Sequence, residues 1–190
     1  MREIALHLLD IAENSVAADS KSISIHVHED LFHDRLSASV IDDGCGMDAE
    51  TAQRVQDPFY TTRTTRDVGL GIPLLKQAAE MAEGSFNLQS EPGHGAWVEA
   101  EFRQSHIDRM PLGDLSSTFL TLLVGHPQID WTFLYRVTGK DRISRDFLFE
   151  SVEWKRELGD ISLTEPEVLT FLRGMFEEGV ASVALQTVAE

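Results

Sequence analysis

The first part of the chain begins with a helical pattern of apolar residues and continues with strand-type alternation. Residues 3–18 repeat apolar side chains at the spacing of an amphipathic helix, at Ile4, Leu8, Ile11 and Ala12. Residues 22–28 then alternate apolar and polar positions, as a half-buried strand does, and residues 36–41 return as a second strand. The pattern predicts a helix followed by a β-hairpin.

A second helix and hairpin follow along the chain. Residues 47–56 predict a short helix, whereas 57–70 have no apolar period and predict a loop. Residues 71–82 are helical in pattern, with Pro73 in the first turn, where a missing N–H costs little. The alternation in 85–102, interrupted by the turn PGHG, predicts the second hairpin.

The pattern changes after Arg103. A linker-like stretch leads to an apolar helix capped by Asp114, a third hairpin over 129–150 and a last helix. We expect that helix to end near Glu178, because Gly179 follows and glycine commonly terminates helices. The chain is therefore predicted to contain a first domain at 1–105 and a small α+β C-terminal domain at 106–190.

Composition and charge narrow the classes of partner. The 190 residues carry a formal net charge of −16, which disfavours binding to nucleic acid and to anionic membranes. An anionic ligand would then need local devices such as a helix N-terminus or a metal ion. Cys45 is the single cysteine, and no apolar stretch approaches the length of a membrane span. We expect a cytoplasmic protein without a signal peptide.

The first helix carries two polar residues with candidate chemistry. Asp10 and Asn14 are four residues apart and so share one helix face. An amide oxygen is a hard ligand that suits Mg²⁺, and a carboxylate one turn away could hold a water molecule. Alone, such a pair is more often a solvated helix surface.

Two glycine-containing stretches add to this pair. Asp42 opens DDGCG at the end of the second strand, where its carboxylate could accept a hydrogen bond from the amine of an adenine. Glycines there would leave room for a planar base, although Asp-Gly is also a common turn. Further along, GLG opens the helix at Gly71 and predicts a phosphate site at the helix N-terminus, with Lys76 one turn in.

The order and spacing of these stretches resemble one known nucleotide site. LLDIAENSVAADS resembles the N box of the GHKL (Bergerat-fold) ATPases, which include gyrase, heat-shock chaperones, histidine kinases and mismatch-repair ATPases. DDGCGMD is similar to their first glycine box, DPFYTT to the F box of histidine kinases, and GLGIPLLK to the second glycine box. SEPGHGAWVEAEF resembles the last hairpin of the kinase catalytic domain.

The resemblance covers about residues 1–105 and implies a fold, ligands and a set of site residues. The fold would be a two-layer α/β (α+β) sandwich, with helices on one face of a mixed, mainly antiparallel sheet. The ligands would be ATP and Mg²⁺, with Asn14 as the metal ligand. The nucleotide-binding residues would be Asn14, Asp42, Gly44, Gly46, Met47, Phe59, Thr61, Thr62, Arg63, Gly69, Leu70, Gly71, Ile72 and Lys76.

The sequence departs from the family pattern at the catalytic position. In the gyrase, chaperone and mismatch-repair branches, a glutamate four residues before the asparagine acts as general base. Asp10 occupies that position here and is one methylene shorter, so we expect slow hydrolysis. Glu13 points about 100° away from the face of Asn14 and is a poor substitute. The lid between DPFYTT and GLG is also short, which favours a low rate.

Histidine autokinase activity is not expected. Histidine kinases carry a phosphoacceptor histidine on a dimerising helical hairpin, before an acid and a downstream proline. None of the seven histidines has that setting: His7, His26, His28, His33, His94, His106 and His126.

Two classes of function remain from the sequence. The first is a standalone ATP-binding regulatory protein that acts as a kinase or slow ATPase on an unidentified protein partner, as the anti-sigma serine kinases do. The second is a nucleotide-sensing module that neither hydrolyses nor transfers. The C-terminal part resembles tails on small ATPases that accompany iron-hydrogenase genes, which implies a redox complex as one such partner. Residues 106–190 would recognise the partner, or alternatively support the first domain.

Overall fold

The computed structural model describes residues 3–57 and 71–188. Along the chain the elements are α1 (Ile4–Ala17), β1 (Ser22–Asp30), β2 (Arg35–Asp42), α2 (Ala49–Arg54), α3 (Gly71–Met81), β3 (Ser85–Ser90), β4 (Ala96–Arg103), α4 (Leu115–Gly125), β5 (Asp130–Thr138), β6 (Ser144–Glu150), α5 (Ser151–Leu158) and α6 (Pro166–Val188). In the described part of the chain no helix is long and apolar enough to cross a bilayer.

The six strands found in the described residues belong to one sheet, in the order β3-β4-β2-β1-β5-β6. Four of the neighbouring pairs are antiparallel. The pair of β1 with β5 is parallel, with Ile25 opposite Phe133. The sheet is therefore mixed and mainly antiparallel, and the predicted fold class is confirmed.

The alternation of side chains along the strands separates two faces. On β1, Ile23, Ile25 and Val27 are buried in the core shared with the helices, whereas the intervening His26 and His28 are only half-buried. The residues of α1, α3, α4 and α6 that face the sheet join the same core. The helices thus cover the apolar face, and the opposite face is largely polar.

The last helix is longer than predicted. It does not end near Glu178 but continues through Gly179 to Val188. A Cβ at Gly179 would overlap the ring of Phe147 on β6. This glycine allows a close approach of helix to strand, which explains why the prediction of a helix stop was wrong.

The C-terminal segment extends the same sheet. β5 pairs with β1 along its whole length, and its aromatic residues pack with α4 and α6, for example Phe133 against Phe119 with ring centroids 4.4 Å apart. The N-terminus of α1 also hydrogen-bonds to this segment, since the Ile4 N–H donates to the Pro111 carbonyl at 3.0 Å. The predicted boundary near residue 105 therefore crosses one continuous sheet, and the division into two domains stays a prediction.

Candidate nucleotide-binding site

Asp42 is held at the end of β2 by backbone groups from two directions. Its Oδ1 accepts from the N–H of Gly44 at 2.9 Å, within the following loop, and from the N–H of Ala96 at 3.2 Å, at the start of β4. Because these donors belong to the folded backbone, the carboxylate has a fixed orientation before any ligand arrives.

The helix α1 supplies a third contact through Ser15. Its hydroxyl donates to Asp42 Oδ2 at 2.6 Å, and the side chain is buried. Ser20 lies 3.3 Å from Oδ1, but its hydroxyl is closer to the Ser15 carbonyl, at 2.7 Å. Each carboxylate oxygen can accept about two hydrogen bonds, so Oδ2 keeps capacity for one further donor.

The neighbouring acid, Asp43, has a different role. Its Oδ1 accepts from the backbone N–H groups of Lys21 and Ser22 at 2.7 and 2.9 Å. It therefore fixes the start of β1 from an exposed position. Of the two adjacent carboxylates, only Asp42 is tied to α1, the glycine loop and β4 together.

The glycines of the loop are also needed by the fold itself. A Cβ on Gly44 would lie 2.6 Å from Ser20 Oγ and 2.8 Å from the Ala18 carbonyl oxygen. Gly46 has a φ of +65°, and a Cβ there would overlap the Glu91 carbonyl in the β3–β4 turn. Contacts within the protein therefore favour glycine at both positions. That these glycines also leave room for a planar base stays a prediction.

Asp10 lies at the N-terminus of α3. Its carboxylate occupies the space that a Cβ on Gly71 would take, with Cγ 3.0 Å from that position. His7, one turn earlier on α1, also contacts the backbone of Gly71 through its ring and is 1% exposed. The structure thus brings the predicted catalytic acid together with the predicted phosphate-binding helix.

Glu13 faces a different part of the protein. Its Oε1 lies 3.0 Å from His126 Nε2, just after α4. This contact agrees with the expectation that Glu13 does not share a face with Asn14. The Asn14 carbonyl accepts from the N–H of Ala18, at the C-terminal end of α1.

Other predicted site residues have identified contacts. Met47 donates its N–H to Ser90 Oγ at 2.8 Å, so the loop after the glycines docks on β3. Lys76 Nζ donates to Gln56 Oε1 at 3.1 Å, which directs the amine towards the end of α2. Ile72 packs against the core. The predicted residues Phe59, Thr61, Thr62, Arg63, Gly69 and Leu70 lie outside the described residues.

Ser15 and His7 belong to this site but were missed from the sequence. Ser15 is a buried polar residue on an apolar helix face, next to Asn14, and that position was the available signal. His7 was considered only as a phosphoacceptor.

A magnesium ion would need ligands beyond the side chains that the structure describes. Among the described residues, no group of three or more His, Cys, Asp and Glu side chains could hold a metal. Magnesium commonly binds through one or two protein oxygens together with substrate phosphates. Asn14 fits such a shared site as a single oxygen donor.

Comparison with known proteins finds a family that matches the first part of the chain. The family model described as "Histidine kinase-, DNA gyrase B-, and HSP90-like ATPase" matches residues 1–106. The histidine-protein kinase AtoS of Escherichia coli is 34% identical over 90 residues, covering 47% of this chain and 15% of AtoS. The sensor kinase FleS of Pseudomonas aeruginosa is 39% identical over 88 residues, covering 46% of this chain and 22% of FleS. The chain thus spans under a quarter of the length of these relatives.

The fold is also similar to that of a solved structure beyond the matched segment. The N-terminal domain of a DNA repair protein aligns with a TM-score of 0.55 at 10% identity, covering 95% of this chain and 57% of that one. This similarity concerns the fold alone. It includes most of the C-terminal segment as well as the nucleotide site.

Proposed function

Since this chain belongs to the family of histidine kinase-, DNA gyrase B- and HSP90-like ATPases, we propose that it binds Mg²⁺-ATP and that Asp42 recognises the adenine. The carboxylate of Asp42 carries this proposal, because three elements orient it and Oδ2 keeps one acceptor position. Adenine offers an exocyclic amine as the donor. Guanine presents a carbonyl at the same ring position, and two acceptors would repel each other.

Titration calorimetry with the two nucleotides tests this assignment. ATP in excess Mg²⁺ should bind, and GTP should bind at least roughly tenfold more weakly, because an unpaired charged acceptor costs more than one hydrogen bond. Equal affinity for ATP and GTP would contradict recognition through Asp42.

We assign the phosphates and the metal to the region around Asp10, between α1 and the N-terminus of α3. The N-terminus of α3 at Gly71 would offer an anion the positive end of the helix dipole and the backbone N–H groups of its first turn, among which Pro73 has none. Asn14 would hold Mg²⁺, which neutralises phosphate charge when bound. Asn14→Ala should remove the Mg²⁺ dependence of ATP binding, whereas Asn87→Ala on β3 should keep it. Unchanged dependence in Asn14→Ala would exclude Asn14 as a metal ligand.

We further propose that Asp10 supports slow hydrolysis. Its carboxylate lies against Gly71, where it could orient a water molecule near bound phosphates. General-base catalysis contributes typically 10²–10⁴-fold, so Asp10→Asn should reduce phosphate release to background. Equal release from Asp10→Asn and the unmodified protein would exclude this role.

The chain should not phosphorylate itself on histidine. An acid-labile, base-stable label on the protein after incubation with γ-labelled ATP would contradict this expectation.

A non-hydrolysing nucleotide sensor is the second candidate function. The position of Asp10 favours it. The Asp10 carboxylate lies at the N-terminus of α3, where the helix dipole stabilises a negative charge, and its side chain is one methylene shorter than the glutamate that acts as general base in other branches of the family. Such a sensor would regulate a partner, for example a redox complex of the iron-hydrogenase type, by binding alone. Absence of phosphate release in excess Mg²⁺, with ATP binding intact, would select this function.

A protein partner is proposed to bind residues 106–190, either as the substrate of a kinase or as the target of the sensor. Phe171 on α6 is 57% exposed, and it lies beside Trp154 with ring centroids 5.5 Å apart. Met81 on α3 has the same exposed fraction and is a matched control. Phe171→Asp should abolish capture of the partner in a pull-down with ATP, and Met81→Asp should preserve it. Equal capture by both variants would contradict recognition through this face.

A further inference from the structure

His7 is a buried histidine that the proposed chemistry does not use. It lies on α1, one turn before Asp10, and is 1% exposed. Among the described residues its Nδ1 is buried without a hydrogen-bond partner, while the ring lies close enough to the backbone of Gly71 for this contact to raise the pKa of His7. A contact that favours the protonated ring is one with an acceptor, so Nε2 is assigned as the N–H that faces the Gly71 carbonyl.

The partner of this hydrogen bond is the first residue of α3. Gly71 begins the helix whose N-terminus is assigned to the phosphates. Two side chains of α1 thus contact the same backbone residue, the imidazole of His7 and the carboxylate of Asp10. A Cβ at this position would overlap the Asp10 carboxylate, which would have to move away from α3.

We propose that His7 is a positioning residue for the nucleotide site, which fixes the N-terminus of α3 to α1 through its neutral ring. This inference rests on the proposed binding of ATP at that helix end. His7 would not touch the nucleotide. It would set the place of the Gly71 backbone relative to Asp10 and Asn14, which α1 carries.

The charge state of the ring follows from its surroundings. Burial lowers the pKa of His7, and the hydrogen bond to Gly71 and the charge of Asp10 oppose that shift only in part. The charged residues of α3 are Lys76 and Glu80, and neither lies in its first turn. Protonation would put a cation in this buried position and an N–H on Nδ1, for which the described residues offer no acceptor. Burial outweighs the gain at Gly71 and Asp10, so acid should destabilise the packing of His7 against α3.

Two substitutions separate this role from simple packing. His7→Leu fills the buried position with an apolar side chain but removes the ring N–H donor. His7→Gln keeps an N–H donor but cannot be protonated. His26→Gln on β1 is the matched control, because burial also lowers the pKa of His26 but its side chain lies on the opposite face of the sheet. ATP binding is measured by calorimetry between pH 5.5 and 8, and folding by circular dichroism.

The expected result is a difference in affinity and in its pH profile. His7→Leu should weaken ATP binding roughly two- to tenfold at pH 7.5, as expected for the loss of one neutral hydrogen bond. His7→Gln should bind ATP within about twofold of the unmodified protein at pH 7.5. It should lack the decrease in affinity that the unmodified protein shows as the pH falls below the ordinary histidine pKa of 6.5. His26→Gln should keep both the affinity and the pH profile.

Two results would overturn the inference. One is unchanged ATP affinity in folded His7→Leu, and the other is a His7→Gln protein that keeps the original pH profile. If His7→Leu does not fold, the pH profile of His7→Gln decides alone. If the unmodified protein binds no ATP, the proposed function fails. Amide hydrogen exchange measured without nucleotide then tests separately whether His7 fixes the N-terminus of α3. The N–H of Leu75 takes the Gly71 carbonyl as its i−4 acceptor, so His7→Leu should speed amide exchange at Leu75. Unchanged exchange at Leu75 would contradict the role of His7 in fixing α3.

Discussion

The Ser15 hydroxyl donates to Asp42 Oδ2 at 2.6 Å and so connects the last turn of the protein's first helix to the end of its second strand. The two residues are 27 positions apart in sequence. Ser15 follows the candidate metal ligand, Asn14, whereas Asp42 is the candidate adenine ligand. One short hydrogen bond therefore joins the two halves of the site.

Removing the Ser15 hydroxyl should affect stability and binding together. Ser15→Ala should lower the free energy of unfolding by about 1–2 kcal/mol, because it removes a hydrogen bond to a half-buried carboxylate. ATP affinity should fall severalfold, since Asp42 loses one of the contacts that orient it. Urea unfolding and calorimetry measure both effects. Ser37→Ala, on the polar face of the sheet, should change neither by much, and equal effects of the two substitutions would contradict this role.

The contact of Glu13 with His126 should be separable from catalysis. Glu13 is partly exposed, so Glu13→Gln should cost less than about 1 kcal/mol of stability. Phosphate release should stay at the level of the unmodified protein, because Glu13 faces α4 rather than the face of Asn14. Parallel assays of Glu13→Gln and Asp10→Asn make the comparison. Loss of turnover in Glu13→Gln alone would show that the wrong acid was assigned.

Acid should destabilise the folded protein near neutral pH. Burial lowers the pKa of His7, His26 and His28 below the ordinary value of 6.5. The unfolded chain then binds more protons between the two pKa values, so stability is full above about pH 6.5 and decreases as the pH falls through the folded values. Denaturant midpoints at pH 7.5, 6.5 and 5.5 should decrease in that order. His28→Gln should make the denaturant midpoint decrease less between pH 7.5 and 5.5. An unchanged decrease would contradict a contribution of His28 to the acid sensitivity.

The C-terminal segment should unfold together with the nucleotide site. Phe176 on α6 is fully buried and packs against Phe133 and Phe149 of the shared sheet. Phe176→Ala should cost about 3–5 kcal/mol, whereas Phe171→Ala, at an exposed position, should cost less than about 1 kcal/mol.

Two probes test whether this unfolding is cooperative. Tryptophan fluorescence includes Trp131 of β5, and circular dichroism follows the whole chain. Both should report one coincident transition, because β5 pairs with β1 along its whole length. Separate transitions would support two independently folding domains, as the sequence pattern had suggested.

Local patterns predicted the local structure well. The alternation around Ile23 and Ile25 gave the first hairpin, and Pro73 located the beginning of α3 near Gly71. These two inferences needed only residues within one element or a short spacing between elements. The resemblance of the motifs to those of the GHKL ATPases implied that Asp10, Asp42 and Gly71 would contribute to one site.

Interactions between distant segments could not be predicted in the same way. The parallel pairing of Ile25 with Phe133 joins residues that are 108 positions apart by their numbering (133 − 25), and no local pattern encodes it. Gly179 had the sequence context of a helix stop, but its neighbour in space is Phe147 on another element. The contact of His7 with Gly71 likewise depends on how two helices pack.

The central claim is that the carboxylate of Asp42 recognises the adenine of ATP, and the adjacent acid provides a matched control. Asp42→Asn and Asp43→Asn make the same chemical change at neighbouring positions, and calorimetry with Mg²⁺-ATP compares them. Asp42→Asn should weaken ATP binding about ten- to a hundredfold, corresponding to roughly 1.5–3 kcal/mol for a charge-assisted hydrogen bond. Asp43→Asn should bind like the unmodified protein, because Asp43 accepts from the backbone at the start of β1. Affinity for ATP in a folded Asp42→Asn protein equal to that of Asp43→Asn would contradict the account.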